Sequence, residues 1–343
     1  MTRHQCCPEC FGDHHLRDQV FPFLGATGGQ CDYCGTQDVL LIEPSALADW
    51  FGPLISVYEP DEDGEPIADW LKRDWQLFSH PRMDAAHTKE LLADILDDGE
   101  IVRGKFIPSP SYKSEALMQW ETLRDEMMYQ NRWFLDVSFD KDRLAQLLDY
   151  LVAQDLPTQW FRARIRTGDV DYAIAEMGPP PKRLASHGRA NPAGIPYLYL
   201  GSTATTAAAE VRPHTGEIAC VANFEVPPIR AVDLRAPRKG VSPFIVQDPA
   251  PIGQLRADLP LLERLGEELT RPVLPSGAAI DYIPSQYLCE FIKKLGFDGV
   301  VYRSSVSDGI NLALFDPALA TGSDVSLYTV SRVSVEVALA PTA

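Results

Sequence analysis

Three stretches in the second half of the chain carry side chains that could do chemistry together. Gly188-Arg-Ala-Asn-Pro-Ala-Gly194 is a glycine-bounded loop holding an arginine and an asparagine, and it runs into the apolar strand Tyr197-Leu-Tyr-Leu200. An arginine presents five donors in a fixed fork, the natural partner of a phosphate or pyrophosphate. Gly201-Ser-Thr203 then opens an Ala-rich helix that ends in Ala209-Glu-Val-Arg-Pro213. A carboxylate such as Glu210, behind an apolar helix, is costly to bury unless it is paired or working. Tyr302-Arg-Ser-Ser305 closes a further apolar run with small polar groups. No Walker loop and no GxGxxG follows any strand, so the ordinary nucleotide folds are not indicated. Taken singly, each residue has a plain use. Arg189 can cap a turn, Tyr199 can fill a core, Glu210 can pair with Arg212 or Arg162, and Ser304 can end a strand. Their occurrence together is what argues for a site.

A second kind of chemistry sits at the start. Five of the seven cysteines, Cys6, Cys7, Cys10, Cys31 and Cys34, lie within the first 34 residues. Cys7-Pro-Glu-Cys10 and Cys31-Asp-Tyr-Cys34 are two CxxC pairs, and four thiolates at tetrahedral positions are what a structural Zn²⁺ takes. Four protein ligands leave no open position, so this zinc is expected to be structural and not catalytic. A redox or metal-free role is the competing reading, with Cys6 as a spare ligand and His4, His14 or His15 as substitutes. An odd number of cysteines clustered at one end, with no apolar leader, argues against a disulfide framework.

The elements that must position these groups fall into three segments. After the Cys-rich start, the chain is helical in pattern from about Pro44 to Leu156. Ile67, Trp70, Leu71 and Trp75 recur at helical spacing, as do Leu144, Leu147, Leu148 and Leu151. Glu59 to Glu65 is acidic and turn-rich and is expected as an exposed loop. Ile107-Pro-Ser-Pro-Ser111 is expected as a break between helices. From Trp160 onward strands and helices mix. Trp160 to Ile165, Tyr197 to Leu200, Ile218 to Val226, Gly299 to Tyr302 and Ile310 to Phe315 read as strands. Thr203 to Val211 and Ser285 to Leu295 read as helices, the latter stopped by Gly296. The class is α+β rather than a βαβ alternation. The expected layout is a zinc-binding segment (1–43), a helical domain (44–156), a mixed domain (157–320) and a C-terminal extension (321–343).

Bulk composition bounds the function. The 343 residues suffice for two domains and a small module, with 45% hydrophobic and 23% charged residues, which is ordinary for a globular chain. No apolar run is long enough to cross a bilayer, and the start lacks a signal peptide, so the expected compartment is the cytoplasm. The formal net charge of -17 repels nucleic-acid backbones, so a nucleic-acid partner is not expected.

The second half resembles the RES domain family. The resemblance rests on Phe161-Arg-Ala-Arg164, on Gly188 to Leu200, on Thr206-Ala-Ala-Ala-Glu-Val-Arg-Pro213 and on Gln286 to Ser305, with Gly296-Phe-Asp-Gly-Val-Val-Tyr-Arg-Ser304 at its centre. It covers about 160 residues. It implies a fold similar to ADP-ribosyltransferases of the diphtheria-toxin kind and breakdown of NAD⁺ by a toxin or stress effector. Carried over residue by residue, the family's arginine, glutamate, serine and strand tyrosine look like Arg189, Glu210, Ser304 and Tyr199. The first-strand arginine is Arg162 or Arg164, and strand alternation is expected to turn only one of them to the pocket. Asn191 and Tyr302 complete the expected substrate contacts, although the family often has an aromatic where this chain has Ala190. The resemblance implies that Glu210 faces the nicotinamide ribose, that Arg189 and a first-strand arginine clamp the pyrophosphate, that Tyr199 positions the nicotinamide, and that Ser304 holds the amide or a phosphate oxygen. It leaves hydrolysis and phosphorolysis open, with ADP-ribosyl transfer to a macromolecule as the alternative. It also suggests an antitoxin partner, and a homodimer. The helical segment resembles the HEPN-like domain found before some RES domains. Arg73 to His80 and Arg82 to His87 match the spacing of HEPN ribonucleases, against which the plain reading is a solvated helix face. A zinc-bearing nucleic-acid module is the weakest alternative.

Overall fold

The structure is a computed structural model that describes residues 4–274, 276–334, 337 and 339. The first three residues of the zinc-binding segment and the end of the 321–343 extension therefore lie outside the described residues. By contacts the chain divides into two compact units, one of residues 1–120 and 236–263 and one of residues 121–235 and 264–343. Among the described residues no helix is long and apolar enough to cross a membrane.

The first unit begins with the two cysteine knuckles, the one-turn helix α1 (Phe21–Phe23) and a small antiparallel ribbon, β1 (Thr27–Gly29) and β2 (Val39–Leu41). Helices α2 (Ala48–Ile55), α3 (Ile67–Trp75) and α4 (Ala85–Leu96) follow. Ile67, Leu71 and Trp75 are all buried on one face of α3, as their spacing requires. Asp84 caps α4 by accepting from the Ala86 and His87 amides. The acidic stretch expected as a loop lies within the strand β3 (Tyr58–Pro66), paired antiparallel with β4 (Lys105–Pro108), and Ile107 to Ser111 falls, as expected, in the break between α4 and the helix that starts at Ala116. A register shift between Pro60 and Glu65 takes up the turn-prone residues, which stay largely exposed. Asp61 to Gly64 have no cross-strand partner and the Asp63 amide bonds Asp61 Oδ1, so the local turn preference survives between the two paired ends.

Residues 236–263 join this unit although they lie far along the chain. They comprise α8 (Pro237–Gly240) and most of α9 (Pro249–Thr270). Phe244 packs on Phe51 at 5.0 Å between ring centroids. Arg238 and Arg256 converge on the nearly buried Asp74 carboxylate, at 3.8 and 3.6 Å. The Ser242 hydroxyl donates to buried Asp13 at 3.0 Å. Gly253 lies so close to the Tyr112 ring that a Cβ there would come within 2.3 Å of it. The sequence reading did not identify α9 as an element.

The second unit is built on a seven-stranded sheet. Helices α5 (Ala116–Tyr129), which starts in the first unit, and α6 (Lys141–Asp149) precede it. Its strands are β5 (Gln159–Ile165), β6 (Leu198–Gly201), β7 (Ile218–Glu225), β8 (Ala231–Asp233), β9 (Gly299–Arg303), β10 (Ile310–Leu314) and β11 (Thr321–Thr329), in the order β11-β7-β5-β6-β10-β9-β8. All pairs are antiparallel except β8 with β9. The stretch set apart as an extension therefore supplies an outer strand of the sheet. Trp160, Leu198, Leu200, Phe224, Val301, Leu312 and Leu314 form the core on one face. The short helix α7 (Ala204–Glu210) packs its alanines on the other, against Ala163, Ala219 and Val221. Helices α10 (Ala278–Asp281) and α11 (Ile283–Lys294) come before β9. Gly296, at φ +85°, stops α11 as its position predicts. The mixture is α+β, as expected.

Candidate functional site

The middle of the sheet is where it is weakest. β5 and β6 are joined by the single pair Phe161 and Gly201, while their other neighbours pair along several residues. The two half-sheets splay there and leave a cavity of about 250 Å³. Its walls include Arg162 from β5, Tyr199 from β6, Glu210 from α7, Tyr302 from β9 and Asn311 from β10. Residues distant in sequence meet because four strands and one helix end converge on that gap. Gly201 permits the convergence: a Cβ there would come within 2.8 Å of the Ala207 amide, so α7 could not turn back so closely over β6.

Glu210 is the last residue of α7, after an N-terminus capped by Thr203. It is not buried behind its helix but exposed at the cavity's edge. Its Oε1 accepts from the Ser304 hydroxyl at 2.7 Å and from the Asn311 amide at 2.6 Å. Neither Arg212 nor Arg162 forms an ion pair with it. Ser304 is thus turned to the carboxylate, not free to hold a ligand by its proton.

Arg162 lines the cavity and Arg164 does not. Residues two apart on a strand share a face, so alternation could not have separated them. Their position along the strand does. Arg164 donates to the Gly178 carbonyl at 3.0 Å and lies over the Tyr172 ring. Arg162 reaches the gap and donates from one Nη to the Tyr199 carbonyl at 3.1 Å. Its Nε is buried with no protein acceptor. Burial, with Arg164 adding repulsion, pushes its guanidinium down to about 10. A half-buried guanidinium at a cavity wall is suited to an anion.

Arg189 is not among the cavity-lining residues. Its guanidinium donates to the Arg271 carbonyl at 2.8 Å and lies over the Tyr282 ring at 5.4 Å. The loop that carries it is tied down along its length. The Tyr199 hydroxyl accepts from the Ala190 and Asn191 amides and donates to Asn191 Oδ1 at 2.7 Å. Asn191 uses its amino group on the Ser186 and Pro192 carbonyls. Its amide is thus committed inside the loop and is not among the cavity-lining groups. Ser285 and Gln286, on the first turn of α11, donate to the Arg189 and Gly188 carbonyls. Burial raises both the Tyr199 and Tyr302 hydroxyls, so both stay protonated.

Asn311, Ser285 and Tyr282 were missed as site residues in the sequence. Asn311 did leave a signal, a lone amide inside the apolar strand Ile310 to Phe315. The Arg271 carbonyl leaves none, because every residue has one.

In the first unit, Cys7, Cys10, Cys31 and Cys34 are buried, with their sulfurs all within 4.8 Å of one another. Cys7 to Cys34 and Cys10 to Cys31 are 3.4 Å apart and Cys7 to Cys10 is 4.0 Å. Tetrahedral Zn–S bonds of ~2.3 Å would place sulfurs ~3.8 Å apart, so the donor set fits a zinc ion. The Thr36 hydroxyl lies 3.0 Å from Cys34 Sγ and 3.5 Å from His80 Nε2. Arg82 donates to the Cys34 carbonyl. Arg73 pairs with Glu65 and covers the Trp70 ring, and His87 bonds Asp84 at the start of α4. All four Arg and His residues of the ribonuclease-like spacings therefore have local structural partners.

The family model for the RES domain matches residues 159–332. No curated protein matches the chain. Among solved structures, a chain of the M. tuberculosis MbcT-MbcA toxin-antitoxin complex is similar at 15% identity and a TM-score of 0.33, over 54% of this chain and 92% of that one.

Proposed function

The chain belongs to the RES domain family, and from that premise we propose that it consumes NAD⁺ by cleaving the bond between nicotinamide and ribose. The observation that carries this reading is a single cavity lined by both a carboxylate, Glu210, and a half-buried guanidinium, Arg162. NAD⁺ offers a counterpart to each, a ribose that becomes cationic as nicotinamide leaves and a pyrophosphate. The cavity suits one ring and its sugar, with the rest of the dinucleotide outside it.

In the proposed reaction the C–N bond breaks and nicotinamide departs neutral with the bonding pair, so no general acid is needed. The barrier lies in the oxocarbenium-like ribose, and a nearby carboxylate stabilises it. Glu210 takes that role and accepts from a ribose hydroxyl. Arg162 holds the pyrophosphate. Arg189 supports the same end from its braced loop, and Arg164 and Asn191 serve to place these groups. Tyr199 and Tyr302 present their rings to the nicotinamide. Ser304 orients Glu210. Attack at the ribose carbon by water gives ADP-ribose and a proton, and attack by inorganic phosphate gives the 1-phosphate ester of ADP-ribose. Cys7, Cys10, Cys31 and Cys34 would hold a zinc ion, which would supply folding free energy to the first unit and take no part in the step.

The proposed biological role is an effector that depletes NAD⁺. A partner protein that restrains it, as an antitoxin would, is part of the same proposal, as is self-association. The test is to incubate the protein with NAD⁺, with and without phosphate, and follow nicotinamide by chromatography. Free nicotinamide with a second product that changes with phosphate supports the reading and identifies the nucleophile. Label from NAD⁺ appearing on a macromolecule would turn it into ADP-ribosyl transfer. Intact NAD⁺ at high protein concentration, with no labelled macromolecule, refutes both.

A further inference from the structure

We infer that Asn311 is a positioning residue for Glu210, and that with Ser304 it decides which carboxylate oxygen is left for the substrate. The inference rests on the reading of the cavity as an NAD⁺ site. Glu210 needs such help for three reasons on its own element. It is exposed, so its side chain has rotamer freedom. It ends α7, where the negative end of the helix dipole disfavours an anion. Among the described residues no arginine or lysine pairs with it.

Asn311 supplies that help from a rigid place. It lies on β10, between Gly201 of β6 and Tyr302 of β9 in register, and is only 5% exposed. Its Nδ2 donates to Glu210 Oε1 at 2.6 Å. A carboxylate only accepts, so the amide's amino group must face it. Ser304, in the turn between β9 and β10, donates to the same Oε1 at 2.7 Å. Two donors on one oxygen fix both the distance and the roll of the carboxylate. Among the described residues no donor reaches Oε2, which is left to accept from the ribose.

The residue type fits the task. A lysine or arginine at position 311 would fix Glu210 by an ion pair and cancel the charge that must face the developing cation. A neutral amide fixes it and leaves the charge in place. An aspartate of the same shape would repel it. A site group held by partners on strands is placed more precisely than one held by a loop.

Two arms test this. The first is kinetic, on the full chain with NAD⁺. Asn311→Asp keeps the shape and removes the donor, and kcat should fall about 100-fold with KM within about twofold, as for loss of a preorganised donor. Asn311→Ser, which retains a shorter donor, should recover part of that loss. Ser304→Ala combined with Asn311→Asp should lose no more than Glu210→Gln, because all three act through one carboxylate. A melting temperature near wild type shows that the variants are folded. Wild-type kcat in Asn311→Asp, or losses in the double variant that exceed those of Glu210→Gln, overturn the inference. The second arm does not depend on turnover: a crystal structure of Asn311→Ser should show the Glu210 carboxylate displaced or in several rotamers. A carboxylate that stays in place overturns the inference too. A wild-type protein that releases no nicotinamide refutes the NAD⁺ reading instead, and the crystallographic arm still decides the positioning.

Discussion

Replacing Arg162 with methionine should move stability and ligand binding in opposite directions. Methionine keeps an unbranched stem against β5 and removes the charge. Burial lowers the guanidinium from its ordinary value to about 10, with Arg164 adding to the effect. At ~1.4 kcal/mol per tenfold in proton affinity, that is roughly 3.5 kcal/mol of unfavourable charge burial. The variant also loses the bond to the Tyr199 carbonyl, which is worth roughly 1.5–3 kcal/mol. The net gain is about 0.5–2 kcal/mol, or a melting temperature higher by ~1–8 °C for a unit of this size. The charge costs stability at every pH where arginine is protonated in the fold, so the variant's advantage should shrink as pH rises past about 10. In the same variant NAD⁺ binding should weaken ~10- to 150-fold, for a lost charge-assisted bond of ~1.5–3 kcal/mol. Calorimetric melting gives the first quantity. Titration with NAD⁺ in a Glu210→Gln background, where NAD⁺ is not consumed, gives the second. A lower melting temperature together with unchanged NAD⁺ affinity would refute the reasoning and make Arg162 a structural strut between β5 and β6.

Glu210→Gln should reduce nicotinamide release by at least ~10³-fold while melting as wild type does, and retained turnover would remove Glu210 from the mechanism. Gly188→Ala places a Cβ 2.4 Å from Asn191 Oδ1 and 2.7 Å from the Tyr199 hydroxyl. It should lower stability by ~1–3 kcal/mol and reduce activity through the Arg189 loop, as read by denaturant melts and nicotinamide release. One zinc per chain should be found by metal analysis, and Cys34→Ser or strong chelation should abolish the cooperative melting of the first unit. His80→Ala should weaken zinc ~10-fold by loosening the Thr36 contact, whereas His87→Ala should leave zinc content and NAD⁺ loss unchanged. A fragment starting at residue 157 should aggregate, because Phe244 and the buried face of 236–263 would lose Phe51 and Asp74, and light scattering of the purified fragment checks this.

Much of the protein was legible without coordinates, for identifiable reasons. Hydrophobic periodicity is a local property, so the helix over Ile67 to Trp75 and the strands over Trp160 to Ile165 and Ile310 to Phe315 could be read from spacing. Two CxxC pairs encode their own knuckles, so the cluster of four buried cysteines that could hold a metal followed from four residues. Of the types Arg, Glu, Ser and Tyr at 189, 210, 304 and 199, the structure puts Glu210 and Tyr199 at the cavity, Ser304 on the Glu210 carboxylate, and Arg189 away from the cavity lining. Their division of labour needed the fold. Arg162 and Arg164 share a face, and only the splay after the Phe161 and Gly201 pair gives one of them the cavity. Asn191 and Tyr199 are polar groups suited to a ligand, yet tertiary contacts commit them to the loop. Glu210 could have been buried, and the way α7 turns back over Gly201 leaves it at an open edge beside Asn311. β3 pairs with β4 on either side of the acidic turn at Asp61 to Gly64, and Asp74 and Phe51 draw 236–263 into the first unit. Local composition determined which elements and chemical groups exist. Which groups remain free to act depends on hydrogen bonds between residues up to a hundred positions apart, and only the folded chain decides those.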